Sequence, residues 1–221
     1  MAIAIIILSN TTKMKKITSS SLFLILVATF FISGISALLY QVSWQRLLFK
    51  TVGIDIDSVT IVVSVFMFGL GLGGLAGGRI ADKFPQKLTL IYAGIELIIG
   101  LYGVLSIYLF DYFGDMTLFV SLSHSLNAIG CFLLLLVPTF CMGMTLPILT
   151  IAVNKWDNNI GRSIGALYFS NTIGAALGAF IVPFLLFDYL TISQVILIAA
   201  IGNFFISIII YMTLLDKHGT Y

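Results

Sequence analysis

Six long apolar stretches occupy most of this sequence, and each is long enough to cross a lipid bilayer as a helix. A spanning helix needs about 20 apolar residues to cross a hydrocarbon core about 30 Å thick. The stretches cover residues 21–42, 58–80, 88–110, 118–149, 164–187 and 192–215. Polar or charged segments separate them at residues 50–57, 82–87, 111–115, 154–162 and 188–189. The pattern predicts an all-α integral membrane protein, a six-helix bundle.

The composition excludes a soluble globular protein. Of the 221 residues, 60% are hydrophobic and 9% are charged, whereas about 25% of the residues in an ordinary soluble domain are charged. The net charge of +2 indicates no nucleic-acid partner. The cysteines Cys131 and Cys141 and the histidines His124 and His218 are isolated in the sequence. They suggest no disulfide framework, metal site or catalytic triad, so we expect no cofactor and the lipid bilayer as the main partner.

The fourth stretch admits two interpretations, because Pro138 and Pro147 lie inside it and proline bends a helix. It is either one long kinked span or two short ones. A single span with a cytoplasmic N-terminus places most of the basic residues in inside loops: Lys13, Lys15, Lys16, Arg79, Lys83, Lys87, Lys155, Arg162 and Lys217. Only Arg46 and Lys50 then lie outside, in agreement with the positive-inside rule. Splitting the stretch would place three of the inside residues outside, so the single span is favoured.

The predicted domain organisation follows from these spans. We expect a short cytoplasmic lead over residues 1–20, a six-helix transmembrane domain over residues 21–215 and a cytoplasmic tail over residues 216–221. Both termini then lie on the cytoplasmic side of the inner (plasma) membrane.

Small residues recur every four positions in the second and fifth stretches. The stripes are formed by Gly69, Gly73 and Gly77 and by Ser170, Gly174 and Gly178. Lipid tails are as apolar as the helices, so helices in a membrane associate through the close approach that small residues allow. The stripes therefore predict helix packing; the alternative is that these helices slide against neighbours during transport. Each stripe lies on the second helix of a three-helix half, and two such halves have opposite orientations, as in the inverted repeats of many transporters.

The segment between the second and third stretches combines a glycine with several charged residues. It reads Gly78-Arg79-Ile80-Ala81-Asp82-Lys83-Phe84-Pro85-Gln86-Lys87. It resembles the loop signature of the major facilitator superfamily, at the position where that family carries it. The resemblance implies a gating loop in which Gly78, Asp82 and Lys83 take part. An acidic side chain in such a loop can bind the end of a neighbouring helix and release it when the bundle moves. The alternative is an ordinary charged cytoplasmic turn.

Three further stretches resemble a narrower family. Residues 34–46, 138–147 and 161–175, with the glycine-rich second helix between the first two, are similar to the membrane part of the bacterial fused major-facilitator/spermidine-synthase proteins. The resemblance covers about residues 20–215 and implies half of a major facilitator with a 3+3 inverted repeat. In that family a soluble aminopropyltransferase-like domain usually follows. This sequence holds no strand, glycine-rich turn and acidic residue in the pattern that such a domain needs, so we expect no enzyme on this chain.

Polar residues inside the spans are the candidates for function, because burying them in a membrane is costly. Glu96 is the only acid well inside a span, and it either binds a cation or a proton or pairs with another helix through Asn171 or Asn203. With Gln41 and Asn171 it forms the predicted substrate-binding set. Trp44 and Arg46 end the first helix and are expected to anchor it among the lipid headgroups.

Two functions remain open on these grounds. In the first, the chain is a transporter-like module for a small polar or cationic, polyamine-like solute. One half cannot provide alternating access alone, so this hypothesis requires a homodimer or a second membrane half. In the second, the chain is a non-transporting membrane anchor or binding module for a separate spermidine-synthase-like enzyme.

Overall fold

The computed structural model describes residues 19–52, 55–120, 124–157 and 159–218. The chain forms six long helices: α1 (Ser19–Val52), α2 (Asp55–Lys83), α3 (Leu88–Val120), α4 (His124–Asp157), α5 (Ile160–Ile181) and α6 (Ile192–His218). No strand occurs within those ranges. The predicted lead and tail lie outside the described residues, except that residues 19–20 begin α1 and residues 216–218 end α6.

All six helices are long and apolar enough to cross a membrane, and this confirms the prediction of a six-helix, multi-pass protein. Both prolines of the fourth stretch lie inside one continuous helix, α4, which agrees with the single-span interpretation. The predicted start of that span is wrong, because residues 118–120 still belong to α3 and α4 begins at His124. The helices also continue past the apolar stretches, as where α2 runs from Asp55 to Lys83, because helix is retained in the polar layers that flank the hydrocarbon core.

Two of the prolines interrupt the helical hydrogen bonds, and the structure compensates for them in different ways. Pro138 cannot donate to the carbonyl of Leu134 one turn earlier, and the hydroxyl of Tyr102 on α3 donates a hydrogen bond to that carbonyl instead. Such replacement partners are what allow proline inside membrane helices. After α5 the chain continues in a π-helical turn, Val182–Leu186, and a final turn, Phe187–Tyr189. Pro183 lies in that π-helical turn, and local π-helical adjustments can satisfy the backbone groups that a proline frees in a membrane helix.

The helices pack in three principal pairs. α2 lies along α4, α5 lies along α1, and α3 lies along α6. Further contacts join α1 to α6 and α3 to α4. The least buried spans are those formed by α2 and α5, and the most buried is that of α4. The arrangement places α1 and α4 in the middle of the bundle, with α2 and α5 on its outer flanks.

Trp44 does not anchor α1 among the headgroups, and that expectation is wrong. The indole is completely buried, stacks on Tyr40 with ring centroids 4.9 Å apart, and donates from Nε1 to Ser106 Oγ on α3 at 2.9 Å. Because α3 supplies both a polar partner and a packing surface, the side chain is more stable between helices than at the interface. Arg46 is exposed, and its guanidinium lies 4.7 Å from the ring centroid of Phe187.

Candidate functional site

A cleft of about 270 Å³ opens between α1, α2, α4 and α5. Its volume is close to the lower limit of small-molecule pockets. The lining is formed by Phe30 and Ser33 of α1, Leu70 and Gly74 of α2, Met142, Gly143, Thr145, Leu146 and Pro147 of α4, and Tyr168 and Asn171 of α5. This lining combines apolar surface with a few hydroxyl and amide groups and includes no charged side chain. Such a surface suits a small molecule with both apolar and polar parts.

Pro147 gives this cleft an unusual acceptor. A proline at position 147 cannot donate to the carbonyl of Gly143, which therefore lacks its usual helical hydrogen bond. Gly143 lines the cleft, and a Cβ on the neighbouring lining residue Gly74 of α2 would lie 3.9 Å from its carbonyl oxygen. The Thr145 hydroxyl donates within α4, to the carbonyl of Met142 at 2.7 Å, and so presents its oxygen lone pairs. The α4 wall is therefore rich in acceptors, which favour a ligand that carries N–H or O–H groups.

Asn171 is the polar group of α5 in the cleft. Its backbone lies against Gly34 of α1, where a side chain on residue 34 would collide with the Asn171 carbonyl. This contact fixes the position of the amide on the α5 wall. No hydrogen bond engages the Asn171 side chain within the described part of the chain, so both its donor and its acceptor are available to a ligand.

Glu96 lies outside the cleft, in a polar cluster between α1, α3 and α6. Its side chain is 0% exposed. Ser33 Oγ donates to one carboxylate oxygen at 2.8 Å, and Asn203 Nδ2 donates to the other at 2.6 Å. Of the two structural partners expected for Glu96, Asn203 makes the contact and Asn171 does not. Two neutral donors on two other helices thus hold the carboxyl group.

Ser33 connects the cluster to the cleft. It lines the cleft and donates to Glu96, so a single side chain separates the carboxyl group from the ligand-accessible space. The sequence did not single out Ser33, although a hydroxyl one residue before a glycine in a membrane helix is a signal for close helix contact. Thr145 and Tyr168 were also missed.

The predicted substrate-binding residues do not form one site. Asn171 lines the cleft, Glu96 lies behind Ser33, and Gln41 is about two helical turns beyond Ser33 on α1 and is not part of the lining.

Further buried polar groups surround Glu96. The Oδ1 atom of Asn203 is buried and makes no hydrogen bond within the described residues. The Tyr92 hydroxyl is buried beside Glu96 and Thr29, and the buried Tyr40 also interacts electrostatically with Glu96. Unpartnered buried polar groups are uncommon. The carboxyl group therefore lies in a buried polar environment that includes one unpartnered acceptor, Asn203 Oδ1.

The predicted packing and loop residues occupy distinct positions. Gly69, Gly73 and Gly77 face α4, and Gly174 and Gly178 face α1. Gly78 has open space beside it. Asp82 and Lys83 are exposed at the end of α2, where Lys83 Nζ lies 5.4 Å from the ring centroid of Phe84. The turn is held by a bond from Phe84 N to the carbonyl of Ile80 at 2.9 Å.

The described residues bring no three His, Cys, Asp or Glu side chains together in an arrangement that could hold a metal ion. The predicted absence of a cofactor remains a prediction.

Comparison with known proteins gives one curated relative and no family. No family model matches the chain, and no solved structure matches it either. The chain is 23% identical over 179 residues to a polyamine aminopropyltransferase of Oceanobacillus iheyensis. That alignment covers 81% of this chain but 33% of the relative, so the chain spans about a third of the relative's length. The likeness supports a link to spermidine-synthase-related proteins for a polytopic, all-helical membrane chain.

Proposed function

We propose that this chain is one half of a transporter, with a 3+3 inverted repeat resembling half of a major facilitator, and that a second copy or a partner half completes it. The pairing of helices supports the repeat. Exchanging α1 with α4, α2 with α5 and α3 with α6 converts the α2–α4 contact into the α5–α1 contact and leaves α3–α6 unchanged. It also converts the α1–α6 contact into the α4–α3 contact.

The register of the glycine contacts supports the same repeat. A side chain on Gly73 would collide with the Phe140 carbonyl, and one on Gly174 would collide with the Phe31 carbonyl. One turn later, a Cβ on Gly77 would lie 2.6 Å from the Met144 carbonyl oxygen. A Cβ on Gly178 would lie 2.7 Å from the Ile35 carbonyl oxygen. The two halves therefore repeat both the small residues and their backbone partners at the same four-residue interval.

A second half is proposed because the polar side of the cleft needs cover. The cleft lies between the two least buried helices, α2 and α5. Exposing the half-buried Asn171 amide to lipid would leave it without hydrogen-bond partners, at a cost of several kcal/mol in hydrocarbon. Water held beneath a second half would satisfy the amide, and transporter binding sites lie at such interfaces.

The proposed solute is a small molecule with several N–H groups, for which a polyamine is the first candidate. The acceptors of the α4 wall and the aromatic rings of Phe30 and Tyr168 would contact ammonium groups. The name of the relative, a polyamine aminopropyltransferase, adds loose support for a polyamine. The observation that carries the proposal is the uncharged, acceptor-rich cleft beside the freed Gly143 carbonyl.

Uptake of radiolabelled spermidine and putrescine into reconstituted proteoliposomes tests this function. We expect Asn171→Ala to lower uptake about tenfold, the equivalent of one lost hydrogen bond to a charged group. Thr172→Ala, at the exposed neighbouring position, should leave uptake unchanged. Pro147→Ala restores a donor for Gly143 and should also lower uptake, whereas Pro138→Ala should not, because Tyr102 already satisfies Leu134. Equal uptake in all four variants would contradict the proposed site.

The proposed orientation places both termini in the cytoplasm and the six helices in the inner membrane. A reporter fused after Phe113, near the end of the span Pro85–Asp115, should report an outside location. A reporter fused after Asp157, at the end of α4, should report an inside location, since the inside loops carry most of the basic residues. Reversed signals at the two sites would show the opposite orientation.

The second candidate function is a membrane anchor for a separate aminopropyltransferase. The length of the curated relative favours it, because two thirds of that enzyme lie outside the aligned part. The chain itself is proposed to lack aminopropyltransferase activity. Saturable binding of a purified soluble polyamine aminopropyltransferase to the chain in nanodiscs, together with an absence of solute uptake, would favour the anchor over the transporter.

A further inference from the structure

We infer that Glu96 is a proton-binding group coupled to the solute cleft, and that Ser33 is the side chain that connects the two. The inference rests on the proposed transport function and names its coupling ion. It follows from the contacts around the carboxyl group, its complete burial and the double role of Ser33.

The first step is that Glu96 needs a cation. The group is fully buried in the membrane-spanning part of α3, where an isolated carboxylate is costly. Its contacts are neutral groups: Ser33 and Asn203 donate to the carboxylate, and the Tyr92 hydroxyl lies beside it. No ion pair involves Glu96 among the described residues. The titratable side chains that interact electrostatically with Glu96 are Tyr40 on α1 and Tyr92 on α3. From α6 it faces the uncharged amide of Asn203.

The second step is that a proton fits better than a metal ion. Both carboxylate oxygens already have a donor at hydrogen-bond distance. A sodium ion prefers oxygen ligands and would have to displace these donors, whereas a proton adds to an oxygen without any new volume. Asn203 can then serve both states. Its Nδ2 donates to Oε2 of the carboxylate, and it can donate to the same oxygen, now the carbonyl oxygen of the acid, once Oε1 carries the proton.

The third step is the route of the proton from the cleft through Ser33 to Glu96. A hydronium ion in the cleft transfers its proton to Ser33 Oγ while Ser33 passes its own hydroxyl proton to Glu96 Oε1. Water remains in the cleft, the Ser33 hydroxyl is restored, and the carboxylate becomes a carboxylic acid. A solute donor that binds Ser33 Oγ competes for the same oxygen. Solute binding and protonation therefore influence each other, and this reciprocity is the physical requirement for coupling.

Infrared difference spectroscopy of the whole protein in lipid tests the inference without any transport measurement. As the pH is lowered, the carbonyl stretch of a protonated carboxyl group should appear, and Glu96→Gln should remove it. Asp82→Asn, at an exposed position at the end of α2, should retain it. Asn203→Leu should shift its frequency, and Ser33→Ala should slow its appearance after a pH jump. The shift in Asn203→Leu identifies the band even where Glu96→Gln fails to fold.

The outcomes separate this inference from the proposed function. The absence of a titrating carboxyl band that depends on Glu96 or Asn203 would overturn the inference, whatever the uptake results. If sodium chloride changes the carboxyl band and the same concentration of choline chloride does not, the bound cation is sodium, and the choice of a proton is overturned. A titrating band together with absent solute uptake would retain the proton site and reject the transporter.

Discussion

Gly73→Leu is expected to lower the free energy of unfolding by about 3 kcal/mol or more, because a side chain there would meet α4 backbone rather than a movable side chain. The nearest atom is the Phe140 carbonyl oxygen, followed by the Cα atom of Gly143 at 2.9 Å. Helix association in lipid depends on such close approach, so separating α2 from α4 removes contacts along the whole pair. Gly174→Leu should have a similar effect on the α5–α1 pair.

Thermal melting in detergent and the yield of monodisperse protein measure this effect. The chain provides matched controls on the same two helices, since a Cβ on Gly71 or Gly165 would meet no neighbouring atom within 4 Å. Gly71→Leu and Gly165→Leu should melt within a few degrees of the parent protein. Equal melting temperatures for the test and control variants would refute the packing of these stripes against α4 and α1.

The second large effect is expected for Trp44→Ala. The indole is completely buried and contacts three other aromatic rings, those of Tyr40, Phe66 and Tyr102. Removing it leaves a cavity and takes away the donor to Ser106. Truncations of this kind cost about 3–5 kcal/mol in soluble cores, and the loss of packing contacts applies in a membrane protein as well.

Trp44→Phe separates packing from hydrogen bonding. It retains a ring but loses the indole N–H, so we expect a loss of about 1 kcal/mol. Unfolding in increasing concentrations of a denaturing detergent, followed by circular dichroism, measures all three proteins on the same scale. An alanine variant that is as stable as the parent would show that Trp44 contributes little to the α1–α3 contact, contrary to its burial.

The sequence allowed correct prediction of features that depend on one segment at a time. The six helices follow from the length of the apolar stretches, and the continuity of α4 follows from the distribution of charge in the loops. The pairing of Glu96 with Asn203 was one of two alternatives, because a buried acid needs a polar partner and few are available in the spans.

The identity of the helices that meet could not be predicted from local residues, so most contacts between helices were missed. The burial of Trp44 depends on Ser106, which lies 62 residues away on α3. The cleft depends on which four helices meet, so Ser33 and Tyr168 carry no local signal for it. Gln41 resembles the other candidates in its chemistry, but its position along α1 places it outside the lining.

The two prolines of α4 differ in what compensates for the lost backbone hydrogen bond. At Pro138 the Leu134 carbonyl accepts a hydrogen bond from the Tyr102 hydroxyl, which joins that part of α4 to α3. Pro147 frees the carbonyl of Gly143, a residue that lines the cleft. Packing against α2 supports α4 at this second break, because Gly143 lies against the Leu70 backbone and Gly77 against the Met144 backbone. The two breaks in the hydrogen-bond ladder of α4 are therefore held by different helices, the first by α3 and the second by α2.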